Sequence, residues 1–149
     1  MRFLITEEGF DPAVHRRALQ NVEAGGYCAF EGWVRITHLG KMVDYLVYES
    51  YPSLALKQGE EVVRQAMEKF TILDARAIHR TGRLLPGELA VWIGVTAAHR
   101  SDAFEACRYL IDTIKTTVPI WKHEFYSDGT EVWVDPTDCR CASGEKTKA

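Results

Sequence analysis

Residues 88–126 read ELAVWIGVTAAHRSDAFEACRYLIDTIKTTVPIWKHEFY, one strand, one helix and one returning strand in succession. Residues 88–97 are the most strand-like run in the chain, rich in β-branched and aromatic types. Ser101 is placed to cap a helix over residues 102–117. The apolar stripe of that helix is Phe104, Cys107, Ile111, Ile114 and Val118, a spacing of 3, 4, 3 and 4 that suits a helix packed on a sheet. Pro119 ends it. Residues 120–126 then form a strand that sends Ile120, Lys122 and Glu124 to one face and Trp121, His123 and Phe125 to the other.

The flanking sequence extends this pattern. Residues 72–79 read as a strand, followed by a turn over 80–87 that carries Gly82 and Pro86. Pro52 opens a helix reaching Phe70, with Leu56, Val63, Ala66 and Met67 as its buried side and Gly59 as a weak point in its middle. Residues 43–50 alternate, with Val43, Tyr45, Val47 and Glu49 on one face and Asp44, Leu46, Tyr48 and Ser50 on the other. Residues 27–35 form a strand ending in Arg35, before a polar loop over 36–41. A short strand over 2–6 precedes a helix over 12–22 that Asp11-Pro12 initiates. A turn over 127–130 and a strand over 131–134 close the series. The order β-α-β-β-α-β-β-α-β-β gives an α+β fold, its helices packed on a mostly antiparallel sheet. The expected division is a single domain over residues 1–136 and a polar tail over 137–149.

Composition narrows the function classes. At 149 residues with 46% apolar and 26% charged types, the chain is neither disordered nor fibrous. Mean hydropathy is −0.19, and no apolar run reaches the ~18 residues of a membrane span. No signal-peptide pattern opens the chain, so the expected compartment is the cytoplasm. A formal charge of −3 argues against a nucleic-acid or membrane-surface partner. The charge is uneven, however. Residues 76–123 hold seven basic residues and four acidic ones, a net of +3 that leaves −6 for the rest. Such a region suits a small anion better than a polyanion.

Three groups of residues carry possible chemistry. His99 and Arg100 precede a helix N-terminus, where the free N–H groups and the dipole favour an anion. The alternative is an exposed arginine paired with Asp102 or Glu105. Lys115 borders the buried face of its helix, and Lys122 follows a proline turn between Trp121 and His123. Apolar company lowers a lysine's pKa and suits it to nucleophilic or proton-transfer work; the alternative is a snorkelling Lys122 paired with Glu124. Arg35 ends a strand beside a flexible loop, a position that suits a ligand contact, whereas the pair His79-Arg80 reads as structural. Cys28 and Cys107 read as small core residues. Cys139 and Cys141 form a C-x-C pair with no partner pair or histidine spacing to complete a zinc site. No phosphate loop, Ser-His-Asp order, HExxH or GxSxG pattern occurs, so neither a cofactor nor a metal is implied.

Six collinear stretches resemble the large, catalytic subunit of molybdopterin synthase: Phe30 to Arg35, Leu46 to Tyr51, Ile78 to Gly82, Gly87-Glu88, Ala97 to Ala106, and Pro119 to Glu124. The resemblance implies an α/β-hammerhead fold and a central homodimer. Each large subunit is implied to bind one small, ubiquitin-like sulfur-carrier subunit, which makes a heterotetramer. The carrier's C-terminal Gly-Gly, as a thiocarboxylate, would deliver two sulfurs to cyclic pyranopterin monophosphate and yield the dithiolene molybdopterin. By motif, Lys115 and Lys122 match the family's active-site lysines. Trp33, Val34 and Arg35 match its pocket strand, and His99 and Arg100 its phosphate-side pair. His123 and Glu124 follow the second lysine, with His in place of the commoner Lys or Arg. Some relatives carry a further basic residue near Arg140 that reaches the partner subunit's pocket. The competing reading is a non-catalytic anion-binding or carrier-docking module.

Overall fold

The computed structural model describes residues 1–134. The expected boundary at 136, the tail, Cys139, Arg140 and Cys141 all lie outside the described residues. In chain order the elements are β1 (Phe3–Thr6), α1 (Pro12–Leu19), β2 (Gly26–Trp33), β3 (Thr37–His38), β4 (Lys41–Ser50), α2 (Pro52–Lys69), β5 (Asp74–Arg80), β6 (Gly82–Leu84), β7 (Leu89–Ala97), α3 (Arg100–Thr117), β8 (Ile120–Tyr126) and β9 (Glu131–Val134).

One sheet runs β1-β5-β7-β2, and every pairing is antiparallel except β1 with β5. The other runs β3-β4-β8-β9, with β6 added to β4. Helices α2 and α3 bury Val62, Val63, Ala66, Ala106, Leu110 and Ile114 in one core with Ala77, Ile93 and Val95 of the first sheet. Helix α1 sets Leu19 against Ile78 and Trp92 in a second, smaller cluster. Both faces of β7 are therefore covered, which explains its unbroken apolar run. The α+β class expected from the sequence holds.

Several local expectations need correction. Phe104 is 62% exposed; the buried side of α3 is Ala103, Ala106, Cys107, Leu110 and Ile114. Small alanines let the helix sit close to the sheet, and a search for bulky residues passes over them. The helix also starts earlier, with His99 and not Ser101 at the N-cap, and no side chain caps it. Helix α1 stops at Leu19, short of residue 22. The expected loops at 36–41 and 80–87 each hold a short strand, β3 and β6. Strand β2 ends at Trp33, so Arg35 lies just beyond it. The simple alternation of β4 breaks at a bulge between Val43 and Tyr45. Val43 consequently pairs with Tyr126 and turns inward with Leu46 and Tyr48.

Gly59 has a packing role that helix propensity misses. A Cβ there would lie 2.1 Å from Phe3 Cδ1, inside a ring that is fully buried. Alanine at a helix interior normally gains up to about 1 kcal/mol over glycine. Here overpacking, at about 1–3 kcal/mol, outweighs that gain. Gly59→Ala should lower the melting temperature by a few degrees, at roughly 2–4 °C per kcal/mol for a chain of this size. A thermal melt that rises would show that Phe3 has room to move.

Candidate active site

Strands β4 and β8 build the centre of the site. Their register sets Tyr48 opposite Lys122 and Leu46 opposite Glu124, so these side chains share one face. The segment after β2 closes over that face. Val34 is fixed by backbone bonds in which its N–H donates to Glu88 O (3.0 Å) and its carbonyl accepts from Gly87 N (2.8 Å). Leu39 and Gly40, with φ of 52° and 75°, form the tight turn that folds β3 back on β4. The result is a small cleft lined by Trp33, Val34, Arg35, Thr37, His38, Leu46, Tyr48, Lys122 and Glu124.

Glu124 is the electrostatic hub of the cleft. Its side chain is only 4% exposed, and its Oε1 lies 3.2 Å from Lys122 Nζ. Oε2 accepts from the Tyr126 hydroxyl at 2.7 Å and lies 2.8 Å from His38 Nδ1. Burial alone would raise the Glu124 pKa; the Tyr126 hydroxyl, Lys122 and His38 outweigh it and hold the carboxyl below its ordinary 4.5. Burial, with Glu124 adding to it, pushes the Tyr48 and Tyr126 hydroxyls up to about 12, so both stay protonated. A carboxyl whose pKa is lowered by folding adds stability above the unfolded value and loses it as pH falls through the folded value. Wild type should therefore lose melting temperature below about pH 4.5 more steeply than Glu124→Gln. Parallel melting curves from neutral to acid pH would show that this carboxylate is not held by its cations.

Lys115 lies near His79, a neighbour of the cleft residue Tyr48. Tyr48 meets the His79 ring edge-on at 4.8 Å. His79 is driven down to about 3, first by burial and then by the nearby charge of Lys115, while its Nδ1–H donates to Arg80 O at 2.7 Å. The imidazole is thus neutral, with the charge of Lys115 near it. The structural reading of Arg80 holds: its guanidinium donates to Glu7 O (3.0 Å) and pairs with Glu88 (3.3 Å).

The expected site residues divide into two sets. Trp33, Val34, Arg35, Lys122 and Glu124 meet in one cleft; Lys115 is not in its lining, and its charge acts on His79, which packs on Tyr48. His123 faces the other way, stacked on Trp133 at 4.2 Å and near Glu131 at 3.7 Å. His99 and Arg100 sit exposed at the start of α3, and Arg100 forms no ion pair with Asp102 or Glu105. Gly25 and Gly26 make room for this corner: a Cβ on Gly25 would lie 2.4 Å from Ala98 O. Arg100 lies 15 residues before Lys115 on one helix, about 22 Å along its axis. Within one chain, the anion corner and the lysines cannot touch the same small ligand.

The sequence reading missed Tyr48, Tyr126 and the role of His38. Tyr126 follows Glu124 by two residues, so the strand alternation contained the signal. His38 needed recognition of the Leu39-Gly40 turn. A roomier groove on α2, lined by Arg2, Lys57, Glu60, Glu61, Arg64 and Met67, is a poorer candidate. Its charges are already matched, Arg64 by Glu61 and Glu68 and Arg2 by Asp74. Among the described residues no group of His, Cys, Asp and Glu could hold a metal ion. No helix of the described residues is long and apolar enough to cross a membrane.

The profile of the MoaE protein family matches residues 5–117. The chain belongs to the MoaE family. It is 43% identical over 129 residues to the molybdopterin synthase catalytic subunit of Thermoplasma volcanium, covering 87% of this chain and 94% of that one. The crystal structure of molybdopterin synthase from Staphylococcus aureus superposes with a TM-score of 0.85 at 34% identity, covering 90% of this chain and 97% of that one. A complex of subunits 1 and 2 of the molybdopterin-converting factor of Helicobacter pylori gives 0.72 at 20% identity over 90% of each chain, a likeness of fold. MoaE membership agrees with the expectation of an enzyme, a molybdopterin synthase catalytic subunit in molybdenum cofactor biosynthesis. The MoaE profile spans every expected site residue except Lys122, His123 and Glu124.

Proposed function

We propose that this chain transfers two sulfurs in succession, one from each of two thiocarboxylated copies of a small ubiquitin-like carrier ending in Gly-Gly, to cyclic pyranopterin monophosphate, giving the dithiolene and releasing each carrier as its carboxylate once water has taken the place of the sulfur. The observation that carries this reading is the cleft itself. Arg35 and Lys122 line it together with the exposed Trp33, and the segment that closes it carries the exposed apolar residues Ile36, Leu39 and Met42. An apolar rim with cations inside suits an extended peptide tail that ends in an anion. The Helicobacter pylori relative, seen as a complex of two subunits, supports a protein partner of this kind.

The residues required are few because sulfur arrives already activated as an acyl thiocarboxylate. The site must hold a phosphate, neutralise developing negative charge and supply protons as the cyclic phosphate opens. Lys122 is the group best placed to act on the carrier's acyl end or to donate a proton, and Lys115 steadies the same centre. Cys107 fits no sulfur-relay role: burial, with Cys28 alongside, pushes its thiol up to about 12, and a thiol so held is a poor nucleophile.

The second cationic corner implies a second copy of the chain. His99 and Arg100 lie too far from the cleft of their own chain, yet they present free N–H groups, a helix dipole and an arginine that forms no ion pair among the described residues. Phe104, one turn further along, and Tyr27, next to the Gly26 that packs on Arg100, are exposed apolar residues at this corner, and Phe30 continues the exposed row along the edge strand β2. A central homodimer that buries them would bring His99 and Arg100 of one copy to the cleft of the other, where the substrate phosphate sits.

Turnover discriminates catalysis from mere binding. With thiocarboxylated carrier and cyclic pyranopterin monophosphate the chain should form dithiolene; with substrate and inorganic sulfide but no carrier it should form none. Tight carrier binding without turnover would instead establish a docking module.

A further inference from the structure

The β3–β4 turn brings a residue to the cleft that none of the expected chemistry uses. His38 lies on β3, and the bulge between Val43 and Tyr45 lets this short hairpin curl over β8. The Val43 N–H donates to Ile36 O at 2.7 Å and locks the curl. His38 Nδ1 thereby reaches Glu124 Oε2 at 2.8 Å across 86 residues of sequence. An ionised carboxylate only accepts hydrogen bonds, so Nδ1 must carry the proton. Tyr126 donates to the same oxygen at 2.7 Å. Oε2 is therefore saturated, and only Oε1 is left for Lys122, at 3.2 Å.

We propose that His38 is a positioning residue: by holding Glu124 Oε2 together with Tyr126, it fixes the carboxylate plane and thereby the place of the Lys122 ammonium in the cleft. Glu124 cannot rotate to chelate Lys122 with both oxygens while His38 and Tyr126 hold one of them. The ammonium stays at the edge of the carboxylate, within the cleft that Arg35 and Trp33 border. Without His38, one partner of Oε2 is lost and Tyr126 alone resists the rotation. Displacement of a reacting group by about 1 Å can cost up to 10²-fold in rate, and a network that keeps one of its two holders should lose about tenfold.

This inference rests on Lys122 acting in the proposed sulfur transfer, and the experiment separates the two. His38→Leu, His38→Ala and His38→Asn would be compared with wild type in turnover with thiocarboxylated carrier, each fold checked by thermal melt. His38→Ala decides the matter if the bulkier leucine disturbs the hairpin. Loss of the imidazole should lower kcat about tenfold with the carrier KM changed less than twofold. His38→Asn, whose Nδ2–H can take the place of Nδ1–H, should recover to within threefold of wild type. The same His38→Ala change made in Lys122→Ala should cost less than twofold, because the group it positions is gone. A kcat within twofold of wild type for His38→Ala, while Lys122→Ala is slow, overturns the positioning role alone. An equal loss in both backgrounds overturns it too. A Lys122→Ala enzyme as fast as wild type overturns both this role and the reading beneath it.

Discussion

Lys122→Ala should slow the proposed sulfur transfer by about 10²-fold or more, and Lys115→Ala should do the same. The size follows from what each ammonium faces. Lys122 lies in a cleft with its side chain 25% exposed, paired to a carboxylate that is 4% exposed. Charge that develops there is poorly screened, so one preorganised cation contributes far more than it would in water. A hundredfold loss corresponds to about 2.7 kcal/mol of transition-state stabilisation. Lys115 would act from near His79, which packs on Tyr48, and its field already reaches the buried imidazole. The control is a lysine on a solvated face. Lys41 is unsuited to it, since its Nζ donates to Thr130 (2.8 Å), pairs with Asp128 (3.2 Å) and lies over the Tyr126 ring. Lys57, exposed on α2, serves instead, and its removal should change the rate less than twofold. Single-turnover rates at equal carrier saturation check the set. If Lys115→Ala and Lys122→Ala both run within twofold of wild type, the catalytic assignment is wrong.

The fold and the site were unequally legible in the sequence. The β7–α3–β8 run was readable because a strand buried on both faces, a helix stopped by Pro119 and an alternating strand each leave a local pattern. The alternation of β8 placed Lys122 and Glu124 on one face correctly, and the structure shows their ion pair, the bland alternative, to be part of the cleft. What stayed hidden depends on long-range register. Val43 reads as a member of the Tyr45 face until a bulge, invisible in the residue types, returns it to the Tyr126 side. His38 reads as a loop residue because its partner Glu124 is 86 residues away. Gly59 reads as a weak point because only the fold puts Phe3 against it. The distance between His99-Arg100 and the lysines was available in principle, since a helix of known length separates them. Motif matching grouped them by family role, and that grouping says nothing about which copy of the chain supplies each residue.

Mixing two inactive variants should restore activity. If the Arg100 corner of one copy serves the Lys122 cleft of the other, an Arg100→Ala chain and a Lys122→Ala chain carry complementary lesions. In their mixed dimer, one site combines the intact Lys122 of the first chain with the intact Arg100 of the second, and the other site carries both lesions. Random exchange at equal concentrations makes half of all dimers mixed, so about a quarter of all sites should be wild-type in composition. Each parent alone should retain on the order of 1% of wild-type rate, the hundredfold cost of removing one preorganised charge. The mixture should thus rise to about a quarter of wild-type turnover, some twentyfold above either parent. Subunit exchange must be allowed first, by brief dilution in mild denaturant, and its extent can be read by mass spectrometry of tagged chains. A site contained within one chain predicts the opposite result, because no mixed dimer would then hold an intact site and the mixture would stay at the mean of its parents. The separation of about 22 Å along α3 is what makes that second outcome hard to build. A phosphate-sized ligand spans only a fraction of it, and α3, packed along its length on β2 and β7, has no hinge by which Arg100 could swing to its own Lys115.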